Sequence, residues 1–104
     1  MTQSPCPISA IAEILGRKWM LEIIYYLHER KRFNELQEAL LGLNPRTLSK
    51  RLKTLEETGI VERIEYSSIP PHVVYVLTEK GHDLIPILHA MADWVRHWHP
   101  ETVN

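Results

Sequence analysis

Chemistry is concentrated in three groups of side chains in this sequence. The first lies in Asn44-Pro45-Arg46-Thr47-Leu48-Ser49-Lys50-Arg51-Leu52-Lys53, where cations and small hydroxyls recur among leucines. Leu48, Leu52 and Leu55 fall at i, i+4 and i+7, one stripe of a helix. Arg46, Lys50 and Lys53 then project opposite the leucines, Thr47 and Ser49 flank them, and Arg51 sits nearer the core edge. Four basic residues and no acid lie between Leu43 and Leu55. Such a helix suits the major groove of DNA, where arginine and lysine pair with guanine O6 and N7. A solvated surface helix is the plainer alternative. The second group is Cys6, set between Pro5 and Pro7. At or just before a helix start, unpaired N–H groups and the macrodipole favour a thiolate there. A small buried apolar side chain is the competing reading. The third group is His82, His89, His97 and His99, spaced by seven, eight and two. None of these spacings sets two imidazoles together on a helix, and no cysteine accompanies them, so no metal site is expected.

The elements that position these residues follow from local signals. Asn44 caps the cationic helix, Pro45 tolerates its missing N–H in the first turn, and Gly59 ends it. Asn34 and Gln37 have capping-box spacing and open a short helix that buries Leu36 and Leu40. Leu41-Gly42-Leu43 joins the two helices tightly, which describes a helix-turn-helix. Upstream, Ile8, Ile11, Ile14 and Leu15 predict a helix over about residues 8–15, barred from starting earlier by Pro5 and Pro7. Lys18–Glu29 carries Trp19, Met20, Ile23, Ile24 and Leu27, the arc of a buried helix with Trp19 as a core anchor. The basic turn Arg30-Lys31-Arg32 follows, a solvated connection unless DNA lies along that edge.

After Gly59 the period changes. Ile60–Tyr66 and Val73–Leu77 are rich in β-branched and aromatic residues, and Ser67-Ser68-Ile69-Pro70-Pro71-His72 makes an extended hairpin tip between them. This is a wing with little charge: Arg63 is its nearest cation, and His72 adds little at neutral pH. Thr78 caps a last helix expected over about residues 79–98, bent at Pro86. Leu84, Leu88, Met91, Val95 and Trp98 form one apolar stripe on it, and Ile87 and Trp94 a second. Two stripes on a terminal helix imply a partner surface, and the simplest partner is another copy, with Ile8 and Ile11 joining from the first helix. A wide core-facing helix in a monomer is the alternative.

Bulk properties narrow the classes. A chain of 104 residues makes one domain with a modest core. Its formal net charge of −1 confines any nucleic-acid site to a local patch. No apolar run reaches membrane-spanning length and no leader is visible, so neither export nor anchoring is expected. The single cysteine suits a reducing interior. No phosphate-binding glycine loop, nucleophile elbow or metalloprotease helix occurs, so the chain does not read as an enzyme.

Taken in order, Cys6-Pro7, Gly16-Arg17-Lys18-Trp19, Arg32-Phe33-Asn34-Glu35-Leu36, Leu48-Ser49-Lys50-Arg51-Leu52-Lys53, Leu55-Glu56, Gly59-Ile60-Val61-Glu62-Arg63, Pro70-Pro71, Val74-Tyr75 and Leu77-Thr78-Glu79-Lys80-Gly81 form a specific combination. Over about residues 6–98 the chain resembles the HxlR-type regulators, the small dimeric branch of the MarR-like winged-helix proteins. The resemblance implies a winged helix-turn-helix whose first and last helices build a two-fold dimer, and sequence-specific binding to operator DNA that represses or activates nearby genes. It maps the recognition helix to about 44–58 and the tip of the wing to about 67–72. Some members use a cysteine equivalent to Cys6 to sense oxidants or electrophiles. With no second cysteine here, a disulfide would join two subunits or a small thiol, and alkylation is an equal route.

The expectations are therefore these. The fold is α+β, mainly α, a single winged-helix domain over residues 1–104 with its wing at about 61–77 and dimerisation helices at about 8–15 and 79–98. The protein acts as a homodimer on double-stranded DNA at a pseudo-palindromic operator, cytoplasmic and nucleoid-associated, with no cofactor, metal or membrane. Arg46 and Lys50 read base edges, Thr47 and Ser49 touch bases or phosphates, and Arg51, Lys53, Lys31 and Arg32 grip phosphate; Asn44, Pro45, Arg63 and His72 complete the DNA face. Ile8, Ile11, Leu84, Ile87, Leu88, Met91, Trp94, Val95 and Trp98 form the dimer interface. Cys6 is the sensing candidate, and an electrophile or a small molecule is the candidate effector; a ligand pocket near Trp19, Tyr25 and Trp94 rests on aromatic content alone, and core packing is the better reading of those residues. The rival reading is a winged helix used only for protein–protein assembly.

Overall fold

A computed structural model describes residues 6–103, so the expectation placed on Pro5 lies outside the described residues. The chain runs α1 (Pro7–Leu15), α2 (Met20–Tyr26), α3 (Phe33–Ala39), α4 (Pro45–Glu57), β1 (Val61–Tyr66), β2 (His72–Leu77), α5 (Glu79–His82) and α6 (Ile85–Trp98), closed by a 3-10 turn at Pro100–Thr102. The strands pair antiparallel, from Val61 opposite Leu77 to Tyr66 opposite His72. A single bridge between Lys31 and Tyr75 ties the segment before α3 to the outer edge of β2. This is a mainly helical winged helix-turn-helix with a small two-stranded sheet.

The core explains why these elements hold together. Met20, Ile23, Ile24 and Leu27 of the α2 region, Leu36 and Leu40 of the α3 region, and Leu48, Leu52 and Leu55 of α4 form one cluster. Ile60, Val61 and Leu77 close it from the hairpin root, and Leu88 from α6. Each fully buried leucine contributes about 1.5–3 kcal/mol of transfer free energy, so the leucine stripe is a main anchor of α4. The turn between α3 and α4 uses Gly42, whose φ of +91° residues with a Cβ rarely adopt.

Four boundaries differ from those the sequence suggests. α3 begins at Phe33, not at a cap on Asn34, because the Glu35 carboxylate accepts the Arg32 N–H at 2.8 Å and moves the start two residues upstream. α2 is shorter than Lys18–Glu29: Trp19 adopts a left-handed φ of +80° and starts the helix at Met20. The last helix is two helices. The chain leaves α-helical hydrogen bonding after Asp83: Leu84 N–H turns to the Gly81 carbonyl at 3.0 Å, and Pro86 then stands in the first turn of α6, where its missing N–H costs nothing. His72 belongs to β2 and not to the hairpin tip, paired with Tyr66 and stacked on its ring.

α1 is the outlier. It is apolar, yet none of its residues is buried, and Ile8 is 72% exposed. The radius of gyration, 15.3 Å, exceeds the roughly 13 Å of a compact chain this long.

Candidate nucleic-acid interface

α4 starts as its sequence dictates. The Asn44 side-chain oxygen accepts the Thr47 N–H at 2.8 Å, and Pro45 occupies the first helical position. Its far end is held by the segment after the wing. Lys80 Nζ donates to the Thr58 carbonyl, an orphan oxygen at the helix C-terminus, and Thr78 Oγ1 donates to the Gly59 carbonyl just beyond it. Gly81 is required for this contact: a Cβ there would lie 2.3 Å from the Ile60 carbonyl oxygen. The Thr78-x-x-Gly81 segment therefore sets the angle at which α4 meets the rest of the domain.

With Leu48, Leu52 and Leu55 buried, Arg46, Ser49, Lys50 and Lys53 are exposed together and Thr47 is half-buried beside them. The ion pairs among the described residues are Arg63–Glu65, Arg96–Asp93 and His99–Glu101, so no carboxylate neutralises the α4 cations. This face is a concentrated positive patch on a chain of nearly balanced charge. Arg51 differs from its neighbours: it is half-buried, and its Nε donates to the Lys18 carbonyl at 2.9 Å.

The wing is ordered by its own side chains. Tyr66 and His72 stack with ring centroids 4.9 Å apart, and Ser68 Oγ donates to the Pro70 carbonyl at 2.7 Å while lying 3.2 Å from His72 Nδ1. His72 is thus engaged within the hairpin. Arg63 is also engaged: Tyr75 beside it raises its pKa first, and Glu65, 3.4 Å away, raises it further. Arg30, which the sequence marks only as part of a basic turn, donates from Nη1 to the Tyr66 hydroxyl at 3.1 Å. Lys31 is held through its backbone, which exchanges both hydrogen bonds with Tyr75, and Arg32 is exposed at the cap of α3. The basic turn is therefore docked against the wing. No local pattern signals that contact, because its partners stand 36 residues apart.

Residues 14–103 match the HxlR-like helix-turn-helix family. The chain belongs to that family. An HTH-type transcriptional regulator of Halalkalibacterium halodurans, BH0655, is 41% identical over 90 residues, spanning 85% of this chain and 80% of that protein. Among solved structures, the reduced form of the transcriptional regulator YodB from B. subtilis superposes with a TM-score of 0.81 at 33% identity, over 93% of this chain and 96% of that one. The redox regulator HypR in its oxidized form gives 0.82 at 36% identity, over 88% and 96%. This HxlR-like protein is accordingly a helix-turn-helix transcriptional regulator, and its relatives are regulators and not enzymes.

Cys6 stands as the N-cap of α1 with Pro7 at the first position, and its side chain is exposed, not buried. The backbone N–H of Ser9, then that of Ile8, stabilises the thiolate and lowers its pKa below the ordinary value. Of the apolar residues assigned to an interface, Leu88 is instead buried in the domain's own core, with Leu84 packed against it and Val95 half-buried. Ile8, Ile11, Ile87, Met91, Trp94 and Trp98 remain exposed. The candidate pocket near Trp19, Tyr25 and Trp94 is a groove of about 370 Å³ between α2 and α6. Tyr25 lines it with Leu21, Met91 and Val95, while Trp19 and Trp94 do not. Among the described residues no histidine, cysteine or carboxylate cluster could hold a metal, and no helix is long and apolar enough to cross a membrane.

Proposed function

We propose that this regulator is a homodimer that binds a pseudo-palindromic operator through α4 and is switched by modification of Cys6. The observation that carries the reading is the α4 face: Arg46, Ser49, Lys50 and Lys53 exposed together, with no partner carboxylate among the described residues. Arg46 and Lys50 read guanine edges, with Thr47 and Ser49 beside them, while Lys53 and Arg32 meet phosphate. Asn44 and Pro45 present the helix N-terminus to the backbone, and Lys31, Arg63 and His72 shape the adjoining wing. The uncovered residues of α1 and α6 face their copies across a two-fold axis, which sets two recognition helices about 34–36 Å apart. Cys6, at the exposed end of α1, has its pKa lowered by the Ser9 and Ile8 N–H groups, and the redox-regulator relative supports a sensing role.

Fluorescence anisotropy tests this with DNA from upstream of the protein's own gene, scrambled DNA, a thiol oxidant and a Cys6→Ser variant. The reading expects selective binding that oxidant abolishes in the wild type and leaves intact in Cys6→Ser. Selective binding indifferent to oxidant removes the switch and keeps the regulator. Flat curves for both DNAs at low salt contradict DNA recognition and favour a protein-assembly module.

A further inference from the structure

Arg51 sits in the middle of the cationic helix, yet its surroundings are unlike those of Arg46, Lys50 and Lys53. It is half-buried, and its Nε–H is committed to the Lys18 carbonyl across 33 residues of sequence. That carbonyl accepts from no backbone N–H among the described residues, so Arg51 is its partner. It also belongs to an unusual turn. Trp19, the next residue, holds a left-handed φ of +80°, a conformation unfavourable for a bulky side chain that persists only where surrounding contacts enforce it. Those contacts are visible: Met20 N–H bonds the Arg17 carbonyl at 3.2 Å, Ile23 N–H bonds the Trp19 carbonyl at 3.0 Å, and the indole packs against the core under Lys18 Nζ. The turn joins the C-terminal end of α1 to α2.

We propose that Arg51 is a positioning residue, a strut that fixes α4 against the α1–α2 turn, and not a phosphate ligand. With Lys80 and Thr78 holding the far end of α4, the helix is tethered at two places to carbonyl oxygens. The strut is the direct side-chain link from α4 to the turn that ends α1, the helix capped by Cys6. Displacement of α1 is passed to the recognition helix through this hydrogen bond. The consequence for operator choice rests on the DNA-binding reading; the strut itself does not.

The chemistry allows a discriminating set of variants. Glutamine places an amide N–H the same number of bonds from Cβ as arginine Nε, so Arg51→Gln keeps the donor and removes the charge. Arg51→Lys keeps the charge and has a carbon at that position, and Arg51→Met loses both. Native-state amide exchange at Met20 and Ile23, measured without DNA, is expected to match wild type in the Gln variant. In the Lys and Met variants it should be roughly three- to tenfold faster, the worth of one net hydrogen bond. Selectivity for operator over scrambled DNA should fall by a similar factor in Lys and Met and hold in Gln, with one salt dependence for all four proteins. Exchange that is equal in all variants overturns the strut. So does a shallower salt dependence in Gln and Met with Lys intact, the signature of a phosphate ligand. If no form selects operator DNA but the exchange pattern appears, the DNA reading falls and the strut stands.

Discussion

Side chains of the same type do different work here according to what already holds them. Arg46 and Arg63 are both surface arginines, but Arg46 has no carboxylate partner among the described residues while Arg63 is taken up by Tyr75 and Glu65. The account places base readout on the first. Arg46→Ala should cost about 1–3 kcal/mol of discrimination at one operator position, measured as the ratio of affinities for the natural and the substituted base pair. Lys53→Ala should weaken natural and scrambled DNA alike and reduce the slope of log K against log salt by about one per subunit. A change in selectivity at unaltered slope would refute its phosphate role. For Cys6, the Ser9 and Ile8 N–H groups favour the ionised form, so the folded pKa lies below that of a free thiol. Alkylation by iodoacetamide should therefore reach its plateau at lower pH than for the unfolded chain, where the midpoint is about 8.5. A midpoint equal to that of the unfolded chain would mean the cap does not act on the sulfur.

At the level of elements, contacts within a few residues were readable from sequence and distant ones were not. The Asn44 cap, Pro45 start, leucine stripe and Gly59 end are all local, and α4 forms where they predict. Local pattern places the start of α3 too late, because Asn34 looks like a better cap than Arg32, while Glu35 decides the matter by reaching back. Pattern alone suggests a bend at Pro86 and not a break before it, because it does not show which residue becomes a first turn. A helical wheel likewise shows two stripes on α6 without saying which one the domain covers itself; the answer, Leu84 and Leu88, depends on where α2 lies. The Arg51–Lys18 and Arg30–Tyr66 bonds join distant segments and leave no local trace. Two stability tests belong at this scale. Asn44→Ala should lose about 1 kcal/mol in urea unfolding, through the uncapped Thr47 N–H. Gly81→Ala should lose more, since its Cβ would strike a backbone oxygen that cannot step aside. Equal losses would show that α5 shifts freely and does not fix α4.

For the molecule as a whole, the unburied α1, the exposed Trp94, Trp98 and Met91 of α6 and the enlarged radius of gyration describe a domain with an uncovered apolar side. The account assigns that side to a second copy. Met91→Glu should yield a monomer by sedimentation at micromolar concentration and lose operator binding with it, while the buried core and helix content persist. The measurement that tests the central claim most directly is hydroxyl-radical footprinting of the protein on DNA from upstream of its own gene. Two dimer-related α4 helices predict two protected patches on one face of the duplex, about 10–10.5 base pairs apart. A single patch, or uniform weak protection along the fragment, would contradict recognition of DNA by a symmetric pair of these helices.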